Sequence, residues 1–275
     1  MKSILGVISA VLLAGSAQAQ VAPPPGSPAI VPINPSKIIL VGDSTTAVMG
    51  GWGPSFCAYH VTSFAACVNL ARGGRSSGNY RWEGSWNVAL SEMAAKGYQH
   101  TWVLIQFGHN DQPGKPGRST DLKTGYPENL RSYVRETRAA GAIPILVTPL
   151  TRRTFKEGKL VKDLEPWAEA TRAVAAEMKV PLLDLNRDST RLVEALGSDY
   201  SDRFAQVPKG TAAASGAPTA PTVPAVTEVQ VQPMAKPKLS FDYTHLGTEG
   251  ANVFAAVVTR ELSEAVPTMR PLLLP

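Results

Sequence analysis

The sequence predicts a three-layer α/β/α sandwich built on a central, mostly parallel five-stranded sheet. Three observations predict it. Five short apolar segments alternate with amphipathic ones along the chain. The apolar runs are nearly continuous, as befits strands buried on both faces rather than on one. Gly, Asp, Asn and Ser recur just after these runs, so polar groups gather on the carboxyl edge, where open parallel sheets bind ligands.

The first predicted strand is Lys37–Gly42, which runs into "GDSTTAVMGGWG". Gly42 permits a sharp exit, and Ser44 sits where the chain turns. The second strand is Cys67–Ala71, followed by "RGGRSS". The third, "TWVLIQF" (Thr101–Phe107), leads into "GHND". The fourth is Ile143–Thr148 and the fifth Val180–Leu185. Three helices follow from apolar positions at helical spacing. Leu130, Tyr133, Val134 and Thr137 share one face. Leu164, Trp167, Ala168, Thr171 and Met178 share another, and Phe254, Val257, Val258 and Leu262 line a last helix.

A chain of 275 residues can bury one sizeable core. Residues 1–19 read as a signal peptide. Lys2 supplies the positive end, Ile4 to Leu13 an apolar stretch too short to span a bilayer, and Ala17-Gln18-Ala19 the cleavage site. The expected location is therefore secreted or periplasmic. Pro-rich residues 20–36 form a loose lead-in, residues 37–266 a single domain and residues 267–275 a tail. Residues 207–239 interrupt the domain with a Pro/Ala-rich insertion that carries no clear period. Export permits a disulfide between the two cysteines, Cys57 and Cys67, closing a short loop after Ser44. Two buried thiols are the alternative.

The formal net charge of +5 is too small to point to nucleic acid. Basic residues are nevertheless uneven: Arg72, Arg75 and Arg81 lie in one segment, Lys115 and Arg118 in a second, and Arg152, Arg153 and Lys156 in a third. If these segments share an edge of the sheet, the rim attracts an acidic ligand. Trp52, Trp82 and Trp86 either offer flat faces to sugar rings or pack in the core.

Ser44 is a nucleophile or a turn residue. As a nucleophile it needs a base, an orienting acid and donors for an oxyanion. The base candidate is His245, three residues after Asp242 in "DYTH". That spacing lets the carboxylate hold one imidazole nitrogen while the other faces a hydroxyl. The competing reading has Asp242 or Thr244 capping the last helix. Donor candidates are the Gly74 amide and the Asn110 side chain, although "GG" and "ND" taken singly mean only turns. His60 and His100 lack an obvious acidic partner, and His109 is placed to shape its loop.

Taken together, "GDST", "ARGGRS", "GHND" and "DYTH" stand in order, each at a strand end or before the last helix. This resembles the SGNH (GDSL-type) hydrolases, which have a flavodoxin-like sandwich and carry Ser, Gly, Asn and His in four such blocks. "TPLTRRTF", "EGKLV" and "DLN" make the chain look most like the rhamnogalacturonan acetylesterase group. The resemblance covers the chain from about Lys37 to the last helix, apart from the insertion. It implies a Ser44–His245–Asp242 triad, an oxyanion hole of Ser44, Gly74 and Asn110, and loop-holding roles for Asp43 and Asp111. The implied activity is removal of O-acetyl groups from an acidic, pectin-type polysaccharide.

Alternatives of the same fold are an esterase or lipase on other acyl esters or acetylated xylan, and a non-catalytic carbohydrate-binding protein. The long insertion before Asp242 departs from the group's pattern and bears on how open the groove is. There is no H-E-x-x-H, C-x-x-C or phosphate-binding Gly-rich loop. No metal or cofactor is therefore expected, and neither a nucleic-acid partner nor stable membrane insertion.

Overall fold

Alternate residues of β1 (Ser36–Gly42) point into two different cores. Ile38 and Leu40 enter one, Ile39 and Val41 the other, and all four are fully buried. The same split recurs on β3 (Thr101–Gln106), where Trp102 and Leu104 oppose Val103 and Ile105. This two-sided burial is why the strands read as unbroken apolar runs. The computed structural model describes residues 33–210, 239 and 241–275, together with Pro24 and Gly26. The expected signal peptide lies outside the described residues, and so does most of the expected insertion.

The sheet has five strands, all parallel, in the order β2-β1-β3-β4-β7. The others are β2 (Ala65–Asn69), β4 (Ile143–Val147) and the two-residue β7 (Leu182–Leu183). Helices α1 (Gly53–Tyr59) and α7 (Thr248–Ala265) share a core on one face. Helices α3 (Ser85–Met93), α4 (Gly125–Ala139) and α5 (Glu165–Met178) share the core on the other. This is the expected three-layer sandwich. The chain reverses direction across the sheet between β1 and β3, so a crevice opens at their carboxyl ends.

The five expected strands exist, with β2 beginning and ending two residues earlier than expected and β7 much shorter. Helices α1, α2 (Asn79–Trp82), α3 and α6 (Leu185–Ser201) were not anticipated. Neither was the β5–β6 hairpin (Phe155–Lys156, Lys159–Leu160), whose turn residues Glu157 and Gly158 both have positive φ. Cys57 and Cys67 form a disulfide that ties α1 to β2. Residues 267–274 pack back on the domain: Met269 is buried, Val61 bridges to Leu273, and the Leu274 amide donates to the His60 carbonyl.

Candidate active site

Ser44 stands one residue beyond the Asp43 that follows β1, and it is buried to 9% exposure. Its turn is made by its neighbours. Asp43 accepts hydrogen bonds from the Thr45 amide and hydroxyl, both at 2.8 Å, while the Thr46 and Ala47 amides donate to the Asp43 carbonyl. The turn is also fastened to the sheet. Gln106 Oε1, at the end of β3, accepts from Thr46 Oγ1 and from Trp52 Nε1 (3.0 Å), and Gln106 Nε2 donates to the Thr148 carbonyl. Gly42 has no room for a side chain here, because a Cβ would come within 2.7 Å of the Gln106 carbonyl.

The "RGG" loop runs alongside. The Arg72 amide donates to the Gly42 carbonyl, and a Cβ on Gly73 would lie 3.6 Å from Ser44 Cβ. Gly74 takes φ +77°, a left-handed conformation that favours glycine. Among the described residues, neither the Ser44 nor the Gly74 main-chain N–H has an acceptor.

Asn110 joins this loop from the β3 side. Its Nδ2 donates to the Arg75 carbonyl at 3.1 Å, which leaves its second N–H unengaged among the described residues. Asp111 is fully buried and binds the same two loops together, accepting from the Ser77 amide (3.0 Å), Ser77 Oγ (2.6 Å) and Thr120 Oγ1 (2.9 Å). Burial pushes its carboxyl up to about 6 despite these donors.

His109 is buried against Asp43, with Nδ1 3.5 Å from Oδ2, too long for a hydrogen bond. Burial lowers the imidazole below its ordinary range, and Asp43 does not restore it. Burial raises the Asp43 carboxyl, but His109 and the Thr45 donors outweigh this and hold it low.

The fourth segment carries Asp242 and His245. Asp242 Oδ2 lies 2.8 Å from His245 Nδ1, while Asp242 Oδ1 accepts from the Thr244 and His245 amides at 2.7 and 2.6 Å. Burial raises the Asp242 carboxyl, yet His245 and the two amides outweigh it and hold it below the usual carboxylate range. The carboxylate thus caps its own turn. Helix α7 starts later, with Gly247 as its cap and no capping side chain, so the helix-capping alternative does not describe this structure.

Sequence reasoning missed what holds this turn. Arg153, 1% exposed, donates to the carbonyls of Asp242 (2.8 Å), His245 (3.0 Å) and Thr244 (3.3 Å), and its own amide donates to the Tyr243 carbonyl. Burial pushes the guanidinium down to about 10, with Asp242 and Asp202 opposing that shift, so it stays charged at neutral pH.

The Ser44 and His245 segments meet through Gly50. The Leu246 amide donates to the Gly50 carbonyl at 2.8 Å, and a Cβ on Gly50 would lie 3.1 Å from His245 Cδ2. Among the described residues no hydrogen bond joins the Ser44 hydroxyl to the His245 ring. Catalytic hydrogen bonds are often long without substrate. The remaining histidines are structural: His60 Nδ1 lies 3.0 Å from the Leu274 carbonyl, and His100 packs on Trp102.

The expected basic rim needs correcting at three positions. Arg153 is internal, Arg81 is engaged by Glu136 of α4, and Arg75 by Glu83. Among the three tryptophans, Trp52 and Trp86 are core, whereas Trp82 is 71% exposed.

A buried turn presenting a serine, two unclaimed amides beside it and a carboxylate-held histidine on the same edge are the parts of an acyl-transfer site. The GDSL-like lipase/acylhydrolase family model matches residues 40–253, which span all four segments. The chain belongs to this family. It is a carboxylic ester hydrolase. It is 29% identical over 236 residues to a probable rhamnogalacturonan acetylesterase, YesY, of Bacillus subtilis, covering 83% of this chain and 93% of that protein. It is 35% identical over 178 residues to the B. subtilis rhamnogalacturonan acetylesterase RhgT, covering 62% of this chain and 73% of that one. The crystal structure of B. subtilis YxiM superposes with a TM-score of 0.59 at 22% identity, over 85% of this chain. There the chain spans only 57% of the other protein's length, and the likeness concerns the fold. Among the described residues no helix is long and apolar enough to cross a membrane.

Proposed function

We propose that this hydrolase is a secreted serine carbohydrate esterase that removes O-acetyl groups from a pectin-type polysaccharide. His245 takes the Ser44 proton as Oγ attacks the acetyl carbonyl, with Asp242 fixing the tautomer and stabilising the imidazolium. The tetrahedral oxyanion is held by the Ser44 and Gly74 amides and the Asn110 side chain. The sugar hydroxyl leaves with the proton from His245. Water then repeats the cycle on the acetyl-enzyme and frees acetate.

The observation that carries this reading is the Asp242–His245 pair at 2.8 Å, set beside the loop that begins at Ser44. The two unclaimed amides support the oxyanion hole. The exposed Trp82 supports a sugar platform, and the acetylesterase relatives support the acyl group and the polymer. The Cys57–Cys67 bridge supports an oxidising compartment, consistent with cleavage near Ala19.

The test is acetate release from acetylated pectins, acetylated xylan and small acyl esters, with Ser44→Ala alongside. The expected result is preferential release from acetylated rhamnogalacturonan, and a loss in Ser44→Ala of several orders of magnitude. Equal release by both proteins would remove Ser44 from the chemistry. Preference for xylan or for long acyl chains would replace the substrate.

A further inference from the structure

Three cations crowd the gap between the "GHND" and "DYTH" segments, and one carboxylate answers them. Lys115 Nζ donates to the His109 carbonyl, immediately before Asn110. Arg118 Nη1 lies 3.5 Å from Asn110 Oδ1. Arg152 Nε donates to Thr244 Oγ1 at 3.2 Å, and its Nη1 is paired with Asp163. Among the described residues neither Lys115 nor Arg118 takes part in any ion pair, and both are half-buried.

The loop that carries them is built rather than loose. Ser119 Oγ accepts from the Lys115 amide and donates to the Gln112 carbonyl, the Arg118 amide donates to the Lys115 carbonyl, and Gln112 Nε2 donates to the Asp163 carbonyl. Holding like charges together costs free energy unless an anion completes the set. Burial first, then Arg152 and Arg118, push the Lys115 ammonium down to about 8, while Asp43 and Asp163 act against this. The nearby His109 feels Arg152 and Lys115 as well.

We infer that Lys115, Arg118 and Arg152 form a subsite for a sugar carboxylate on the polymer whose acetyl ester reaches Ser44. The inference rests on the carbohydrate-esterase reading above and makes it specific. The anion recognised is a uronate, held beside Asn110 by the Lys115 and Arg118 donors, which no carboxylate among the described residues pairs with. Arg152 is bound on its other side to Asp163 and Thr244, so Lys115 and Arg118 supply the free donors. A uronate bound there also links the oxyanion segment to the histidine turn through one ligand.

The test is calorimetric titration of the full-length wild-type protein with non-acetylated trigalacturonate, at fixed ionic strength. Its carboxyl-reduced neutral counterpart and inorganic phosphate serve as comparison ligands. Trigalacturonate is expected to bind at least about tenfold more tightly than the neutral trisaccharide. Lys115→Gln and Arg118→Gln should each weaken it by roughly tenfold or more, the size of a lost charge-assisted hydrogen bond. Lys115→Arg and Arg118→Lys should keep most of the affinity. Raising the pH from 7 to 9.5 should weaken binding to wild type as Lys115 loses its proton, and should leave Lys115→Arg nearly flat.

Equal affinity for charged and neutral ligands, or unchanged binding in both Gln variants, would overturn the subsite. So would phosphate displacing trigalacturonate at equal concentration. The two readings fail separately. Intact Ser44-dependent acetate release without trigalacturonate binding removes only the subsite. Specific trigalacturonate binding without acetate release from any ester removes the esterase reading.

Discussion

Replacing Arg153 tests whether the histidine turn is held from within. The guanidinium is buried and charged, and it donates to three carbonyls of one turn, two of them within 3.0 Å. Its loss removes three charge-assisted hydrogen bonds and leaves those acceptors without donors. The cost is offset by no longer burying a cation, so Arg153→Met should destabilise by about 2–4 kcal/mol. For a domain of this size that lowers the melting temperature by roughly 5–15 °C. Below the transition the protein should stay folded, but with Asp242 and His245 less well aimed. Misplacement by about an ångström can cost roughly 100-fold in turnover, so kcat should fall by one to two orders of magnitude while KM hardly moves. Arg153→Lys keeps the charge but loses the fork that reaches several acceptors, and should fall between the two. The assay is steady-state hydrolysis of a small acetate ester at 25 °C, with thermal melting of each variant. A lowered melting temperature with unchanged kcat would make Arg153 merely structural. An Arg153→Met protein with wild-type kcat and melting temperature would refute the reasoning entirely.

Other outcomes can be checked with the same assays. Asn110→Ala should lower kcat by about 100- to 1000-fold with little change in KM, as for loss of one oxyanion donor; a raised KM with unchanged kcat would assign Asn110 to ground-state binding instead. Reducing the Cys57–Cys67 bridge, which joins residues ten apart in sequence, should cost about 3 kcal/mol by loop-closure entropy and lower the melting temperature without changing kcat. Glu261 on α7 is pushed up to about 9, first by burial and then by Asp188 and Asp184. Its raised pKa means that the folded state holds the proton that the unfolded chain releases, so stability should decline as pH rises from about 5 to 9. Glu261→Gln, neutral throughout, should flatten that decline in urea melts taken across the same pH range. An unchanged slope would place the titration elsewhere.

What the sequence discloses and what it hides divide along a physical line. Strands buried on two faces leave unbroken apolar runs, so β1, β3 and β4 can be read directly. Ser44, Gly74, Asn110, Asp242 and His245 stand in short blocks at element ends, where turn chemistry makes them visible. Helix α6 hides because much of its inward face is polar. Asn186 donates to the Pro149 carbonyl, and Ser189 accepts from the Thr151 amide, so the buried side of its first turns is polar and the apolar positions Leu192, Val193 and Leu196 gather later. Gly197, with φ +74°, further breaks its regularity. Helix α3 hides behind Ser85 and Ala89, small residues that pack tightly without looking apolar in a window. Arg153 sits beside Arg152 in one basic run, yet one is internal and the other lies in the cationic gap. Composition cannot separate them, because only the return of residues 242–245 surrounds Arg153 with carbonyls.

The hidden residues share a task. A parallel sheet delivers several loops to one edge, but nothing in its ladder hydrogen bonds fixes those loops relative to one another. In this protein the Ser44 and His245 segments meet by the main chain of Gly50, and three other junctions are each made by one buried polar side chain with several partners. Gln106 ties the Ser44 turn to β3 and β4, Asp111 ties the Gly74 loop to the Asn110 loop, and Arg153 ties the loop after β4 to the Asp242–His245 turn. Such groups cost desolvation, as the raised Asp111 and lowered Arg153 values record. Burying them is therefore a poor way to gain stability and a good way to fix geometry, since a half-satisfied network is worse than none. It follows that substitutions at these junctions should act on the turnover of the folded enzyme as well as on its melting. Apolar substitutions of similar volume in the two cores should act on melting alone.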